Sequence, residues 1–411
     1  MIYFDRYVLS NGLRLLHHRD TLTSMVAVNV VYNAGSRDED AGKTGFAHLF
    51  EHLMFGGSVN IPEYDKPAQQ AGAENNAWTN DDVTCYYLSL PARNVETAFW
   101  LESDRMLSPA FSEKGLEIQK QVVVEEFKQR SLNLPYGDVS HLMRDLAYKV
   151  HPYRWPTIGK EPAHIERATL EDVKAFFFRY YAPDNAVLSV SGNISLEDTV
   201  RLAEKWFAPI ERRNVVKPVL PEEPRQTAPR FLRVERNVPV DAIYKAWHIC
   251  GRREADYYAC DMLSDVLAHG RSARLYRHLV MERHLFTEIN AYISANTDPG
   301  LLHVTGKTAP GVSLEQADQA IRQELQKICM DKIEDRELEK VKNKFESNDL
   351  FSNINYLNKG TNLALFEILG NASLMNEEVA GYRAVTAEKL RDVACRILNE
   401  DNCSTLYYKK F

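Results

Sequence analysis

The chain of 411 residues has no apolar run long enough to span a bilayer, and its start, Met1-Ile2-Tyr3-Phe4-Asp5-Arg6, lacks the basic-then-apolar order of an export signal. A cytoplasmic location is expected for the sequence as it stands, and a periplasmic one if a leader was removed. Clusters of Lys and Arg interleaved with aromatics are missing too, and the net charge is only −7, so nucleic acid is not expected as a partner. Cysteine is sparse and scattered. Cys85, Cys250, Cys260, Cys329, Cys395 and Cys403 show no C-x-x-C spacing and no paired framework, which argues against a zinc ribbon or a cysteine nucleophile and predicts free, buried thiols. What is present, 45% hydrophobic and 26% charged residues, is ordinary globular composition in a chain long enough for at least two domains.

Residues 209–229 change to linker composition, with Pro209, Glu211, Arg212, Arg213, Pro218, Pro221, Glu222, Glu223, Pro224 and Pro229 and no apolar period. This predicts a domain over 1–208, a linker, and a second domain over 230–411. The halves resemble each other. Thr169-Leu170-Glu171-Asp172-Val173 with Asp184-Asn185 recurs as Thr386-Ala387-Glu388-Lys389-Leu390 with Asp401-Asn402 at an offset of 217, each reading as a capped helix, a turn and a strand. At an offset of 216, Gly35-Ser36-Arg37 and Asp40 match Gly251-Arg252-Arg253 and Asp256 after alternating strands. Strands joined by short connections predict an α+β fold in each half, a largely antiparallel sheet covered by helices on one face.

The segment Gly45 to Gly56 reads as one amphipathic helix carrying His48-Leu49-Phe50-Glu51-His52. Residues three and four apart share a helix face, so two imidazoles can reach one metal ion while the carboxylate between them holds a water. This is H-E-x-x-H reversed, the inverzincin signature. The alternative is a helix whose histidines meet backbone carbonyls and whose Glu meets an Arg. Under the offset of 216, His48, Glu51 and His52 fall opposite Ser264, Leu267 and Ala268, so the second half keeps the helix and loses the polar groups. That asymmetry favours the functional reading.

A catalytic zinc site takes three protein ligands, so a third donor is required. Glu113 to Arg130 reads as a helix with Leu116, Val122, Val123 and Phe127 in its stripe, and Glu125-Glu126 beside it. Spacing does not choose between the two acids, and both can equally be solvated surface groups. Between the helices, Gly72 to Tyr87 reads as a turn-rich entry and a strand, either a core hairpin or a strand to which an extended peptide adds.

Several further motifs then align. Thr44-Gly45-Phe46-Ala47-His48 through Phe55, the strand Asn76-Ala77 and Thr79 with Asp82-Val83-Thr84, Val122-Val123-Val124-Glu125-Glu126, His151-Pro152-Tyr153 with Gly159, and Tyr181-Ala182-Pro183-Asp184-Asn185 through Gly192-Asn193 resemble the pitrilysin-type metallopeptidases over nearly the whole chain. That family includes mitochondrial processing peptidase, insulin-degrading enzyme and short bacterial members. The resemblance implies a zinc endopeptidase acting on extended or unstructured peptides, with one zinc per chain. It implies His48, His52 and Glu126 as the metal ligands, Glu51 as general base, and Asn76 and Ala77 on the substrate-pairing edge strand. It also implies two duplicated domains forming half of a clam-shell, closed by a second half or second subunit.

Two departures stand out. Where the family often has a supporting Glu two turns before the third ligand, this chain has Gln119, which can hydrogen-bond without adding charge. Where substrate-binding members carry an Arg and, seven residues later, a Tyr, this chain has Val280 and Thr287. By similarity to two-subunit members, this predicts the metal-bearing subunit of a heterodimer whose related partner supplies the Arg/Tyr pair. Alternatives are a self-sufficient homodimer using Arg283 and Tyr292, and a noncatalytic assembly subunit like the relatives that became core proteins of a respiratory complex.

Overall fold

Met25-Val26-Ala27-Val28-Asn29-Val30-Val31-Tyr32 is apolar at both odd and even positions, which suits a strand buried on both faces. The computed structural model, which describes every residue except Lys332, places it inside a six-stranded sheet of order β1-β2-β6-β3-β5-β4. The strands are β1 (Asp5–Val8), β2 (Arg14–Arg19), β3 (Met25–Tyr32), β4 (Glu74–Thr79), β5 (Thr84–Pro91) and β6 (Ala186–Gly192). All neighbours are antiparallel except β2 and β6. β4 is an edge.

A second, five-stranded sheet has the order β7-β11-β8-β10-β9. It comprises β7 (Arg230–Arg236), β8 (Ala242–His248), β9 (Phe286–Ile293), β10 (Leu301–Thr308) and β11 (Cys403–Lys410). Here again one pair is parallel, β7 with β11, and the rest are antiparallel. Matching β2, β6, β3, β5 and β4 to β7, β11, β8, β10 and β9 reproduces both the order and the position of the parallel pair. This is the duplication read from the two offsets, and the fold is α+β as expected.

The helices that carry the argument are α1 (Phe46–Leu53), α2 (Glu113–Phe127), α3 (Val139–Ala147), α4 (Leu170–Tyr180), α5 (Tyr257–Ala268), α6 (Leu314–Met330), α7 (Tyr356–Leu369) and α8 (Ala387–Ile397). The repeated helices α4 and α8 start alike: Thr169 Oγ1 accepts the Asp172 N–H and Thr386 Oγ1 the Lys389 N–H. In α5 the counterparts of the H-L-F-E-H positions, Ser264, Leu267 and Ala268, are all buried. That helix spends the equivalent face on its core. No helix among the described residues is long and apolar enough to cross a membrane.

Helices cover both faces of each sheet, not one. In the first, Val26, Val28, Val30 and Tyr32 pack with α1, α2 and α4, while Leu16, Val31, Cys85 and Val187 pack with Leu363, Ala364 and Phe366 of α7. In the second, α5, α6 and α8 lie on one face, and Met143 and Ala147 of α3 pack with Ala242, Ala246, Leu301 and Leu406 on the other. Each second-face helix comes from the opposite half of the sequence. The compact units are accordingly Met1–Lys128, Trp155–Leu220 and Leu350–Glu377, and Gln129–Arg154, Pro221–Asp349 and Glu378–Phe411. The halves expected from composition, 1–208 and 230–411, thus each lend one helix to the other's unit, and residues 211–228 between them carry neither helix nor strand.

Candidate metal centre

α1 is held at its start by residues outside it. Gly45 takes φ 86°, and a Cβ there would lie 2.9 Å from the Ile158 carbonyl oxygen, so glycine is required for this entry. The buried Glu39 carboxylate accepts the backbone N–H groups of Gly45 at 2.9 Å and Ala47 at 2.8 Å, and the Trp155 indole N–H at 3.1 Å. A carboxylate at this end also meets the positive pole of the helix. Burial pushes the Glu39 carboxyl well above its ordinary pKa, against the pull of these donors. On the same turn, Thr44 Oγ1 lies 2.8 Å from His164 Nδ1 and accepts the Lys160 N–H at 2.7 Å.

The buried face of α1 then fixes its rotation. Leu49 and Phe50 are buried, and the Phe50 ring lies 4.2 Å from that of Tyr181 between centroids. With those positions facing the core, His48 and His52 turn toward α2, and their rings stand 4.8 Å apart at 83°. The α-helix α2 ends at Phe127, where a π-helical turn over Lys128–Asn133 replaces the continuous helix expected to Arg130. Just before that change, Glu126 Oε2 lies 3.7 Å from His48 Nε2 and 3.4 Å from His52 Nε2.

Those separations fit ligands better than hydrogen bonds. N–H···O contacts cluster near 2.9–3.0 Å, whereas donors each about 2.0–2.1 Å from a tetrahedral ion stand roughly 3.3–3.5 Å apart. One donor atom from each of His48, His52 and Glu126 lies within 4.8 Å of the others. Two imidazoles and one carboxylate form a donor set suited to zinc, so these residues fit that ion. Glu125 is set apart by packing: it is exposed and pairs with Lys128 at 2.7 Å.

Glu51 lies on the same helix, and Thr79 Oγ1 of β4 donates to its Oε2 at 2.5 Å. Thr79 Oγ1 also approaches Thr84 Oγ1 at 3.3 Å, and Thr84 is anchored on the Ala34 carbonyl at 2.9 Å. This chain of hydroxyls orients the carboxylate that could serve as a base. Asn76 and Ala77 lie three and two residues before Thr79 on the edge strand, and the Asn76 side-chain oxygen accepts the Ala77 N–H at 2.8 Å. Gln119 is half-buried on α2, seven residues before Glu126 and so on the same helix face. Thr79 entered the sequence reading only as a motif residue with no assigned role, and Glu39 did not enter it. Thr79 shares a strand face with Ala77 by alternation, a signal available from the sequence, but Glu39 had none.

In the second unit, Val280 sits in a π-helical turn over Tyr276–Glu282 and packs against the core, and Thr287 on β9 donates to the Lys307 carbonyl. Arg283 lies 3.9 Å from Glu324, and Tyr292 stacks on His303 with centroids 4.9 Å apart.

Two duplicated α+β units with a reversed zinc motif on one α1-type helix define the architecture of a metallopeptidase chain. Residues 14–159 match the model of "Insulinase (Peptidase family M16)", and residues 167–345 match "Peptidase M16 inactive domain". The zinc protease PqqE of Helicobacter pylori is 30% identical over 346 residues, 82% of this chain and 77% of that protein. An uncharacterized zinc protease of Bacillus subtilis, YmxG, is 26% identical over 96% of both chains. The crystal structure of a protease from Helicobacter pylori superposes with a TM-score of 0.93 at 26% identity, covering 100% of both chains. The chain belongs to peptidase family M16, the pitrilysin-type family that its motifs resemble.

Proposed function

We propose that this protein is a zinc-dependent endopeptidase, the metal-bearing subunit of a two-chain enzyme that cleaves extended or unstructured peptides inside a closed chamber. The observation that carries this reading is the convergence of His48, His52 and Glu126 from two helices, with Glu51 held beside them by Thr79. Kinship with chains named zinc proteases supports the same chemistry.

In this reading His48, His52 and Glu126 hold one zinc ion per chain, and Gln119 supports the site as a hydrogen-bonding group. A zinc ion supplies Lewis acidity toward the scissile carbonyl and makes water a nucleophile near neutral pH. The chain's own residues do the rest. The substrate adds to the β4 edge at Asn76 and Ala77, its peptide groups replacing the bond between the Asn76 side chain and the Ala77 N–H. Glu51 takes the proton from the attacking water and passes it to the leaving amide nitrogen, so one carboxylate serves first as base and then as acid. Thr79, holding Oε2, keeps the carboxylate in plane for both transfers.

Glu51→Gln tests the assignment. It is expected to retain zinc by elemental analysis and to lose hydrolysis of an unstructured fluorogenic peptide by at least about 10²–10⁴-fold. His48→Ala and His52→Ala are expected to lose both zinc and activity. Undiminished hydrolysis by Glu51→Gln would remove its role as base, and full zinc retention by His52→Ala would remove the ligand set.

A further inference from the structure

Cysteines scattered in the sequence are brought together in the second unit. Cys250 follows β8, Cys260 lies in the first turn of α5, and their Sγ atoms are 3.8 Å apart. That is van der Waals contact, against about 2.0 Å in a disulfide bond. Both residues border one cavity of about 630 Å³, together with His248, Glu254, Asp256 and Arg396. The half-buried Cys250 is the more accessible of the two, with Cys260 fully buried behind it.

The segment between them holds its shape without a covalent link. The Gly251 N–H donates to Glu254 Oε1 at 2.8 Å, and the Arg252 guanidinium lies 4.5 Å from the centre of the Tyr257 ring while pairing with Glu378. The two sulfurs are also unlike. In this thiol–thiol contact, which either S–H can donate, Cys260 holds the Cys250 thiol below its ordinary pKa, whereas the Cys250 thiol and burial push Cys260 up. Thiolate character selects the attacking sulfur. Elsewhere, burial raises Cys85 and Cys403, and burial together with the neighbouring Cys395 thiol raises Cys329 to about 12.

We propose that Cys250 and Cys260 form a redox-active dithiol site that is oxidised by low-molecular-weight disulfides such as oxidised glutathione. The Cys250 thiolate attacks one sulfur of the small disulfide, and the S–S bond breaks to release one thiol after protonation. Cys260 then loses its proton and attacks the Cys250 sulfur, expelling the second thiol and forming the Cys250–Cys260 bond. Two protein thiols lose two electrons, and one small disulfide becomes two thiols. The metal centre takes no part, so this site is independent of the peptidase reading.

The test incubates the full chain with oxidised glutathione at neutral pH, blocks the remaining thiols and maps the tryptic peptides. The expected result is loss of two of the six thiols and a covalent link between peptides 246–252 and 254–271, reversed by dithiothreitol. Cys260→Ser is expected to keep a persistent glutathione adduct on Cys250. The wild-type map decides the matter even where that variant does not fold. Modification of Cys395 ahead of Cys250, an adduct on wild-type Cys250 that never resolves onto Cys260, or six thiols left unreacted would each overturn the proposal.

Discussion

Glu39 does for α1 what no residue inside the helix can do: it accepts two N–H groups that have no intrahelical partner. Glu39→Ala leaves those buried donors without an acceptor. The expected cost is about 1–3 kcal/mol per unsatisfied group, read as a fall in thermal stability, with weaker retention of zinc because the two imidazoles ride on this helix. Glu39→Gln keeps an acceptor oxygen and should fall between the two, and equal melting temperatures for all three proteins would discard the role. Thr79→Val removes the hydroxyl that orients Glu51. Its peptidase kcat is expected to fall by about tenfold at unchanged zinc content, with recovery in Thr79→Ser, given that general acid–base contributions run from about 10²-fold upward. A change confined to KM would mean that Thr79 serves substrate docking instead. His48, Glu51 and His52 were legible because a helix repeats on a fixed angle, so sequence spacing is spatial position. Glu125 and Glu126 were not separable, since adjacent residues both border the same stripe and only the packing of α2 on α1 selects one. Glu39 left no trace because its partners are chosen by a turn, which has no period.

The sheets show the same limit at the level of elements. β3 and β6 carry apolar residues on both faces, which calls for a second cover where helices on one face were expected, and nothing local says that α7, far along the chain, provides it. The duplication was legible and the two sheets repeat it in strand order and parallel pair; the exchange of α3 and α7 between the halves was not, because it depends on long-range packing. Gly360 is the contact point of α7. A Cβ there would lie 2.6 Å from Asn29 Nδ2 and 3.2 Å from the Ser191 Cβ, and Asn29 is fully buried, donating to the Ser189 carbonyl and accepting from Thr361. Gly360→Leu must push the helix off the sheet. A loss of at least about 1–3 kcal/mol is expected from overpacking, measured by urea unfolding, and a variant as stable as wild type would mean that α7 is not seated on β3 and β6.

For the whole molecule, the duplication poses the question of what the second unit contributes. Its α1 counterpart has filled the ligand positions with Ser264, Leu267 and Ala268, which fits the description of the matching family model as an inactive domain. A hydrolase still needs donors for the oxyanion that forms on the attacked carbonyl, and such groups are worth about 10²–10³ in rate. Val280 and Thr287 stand where the resemblance calls for Arg and Tyr, while Arg283 is directed toward Glu324 and Tyr292 is stacked on His303. The expected outcome is that the purified, zinc-loaded chain cleaves an unstructured peptide slowly, and that adding a related chain with the Arg/Tyr pair raises kcat/KM by about 10²–10³. The double variant Val280→Arg, Thr287→Tyr restores part of this gain without the partner if the missing donors are the cause. Full activity of the unaltered chain as a homodimer, unchanged by a partner or by the double variant, would show that this sequence completes its own site and that the Arg/Tyr requirement does not extend to it.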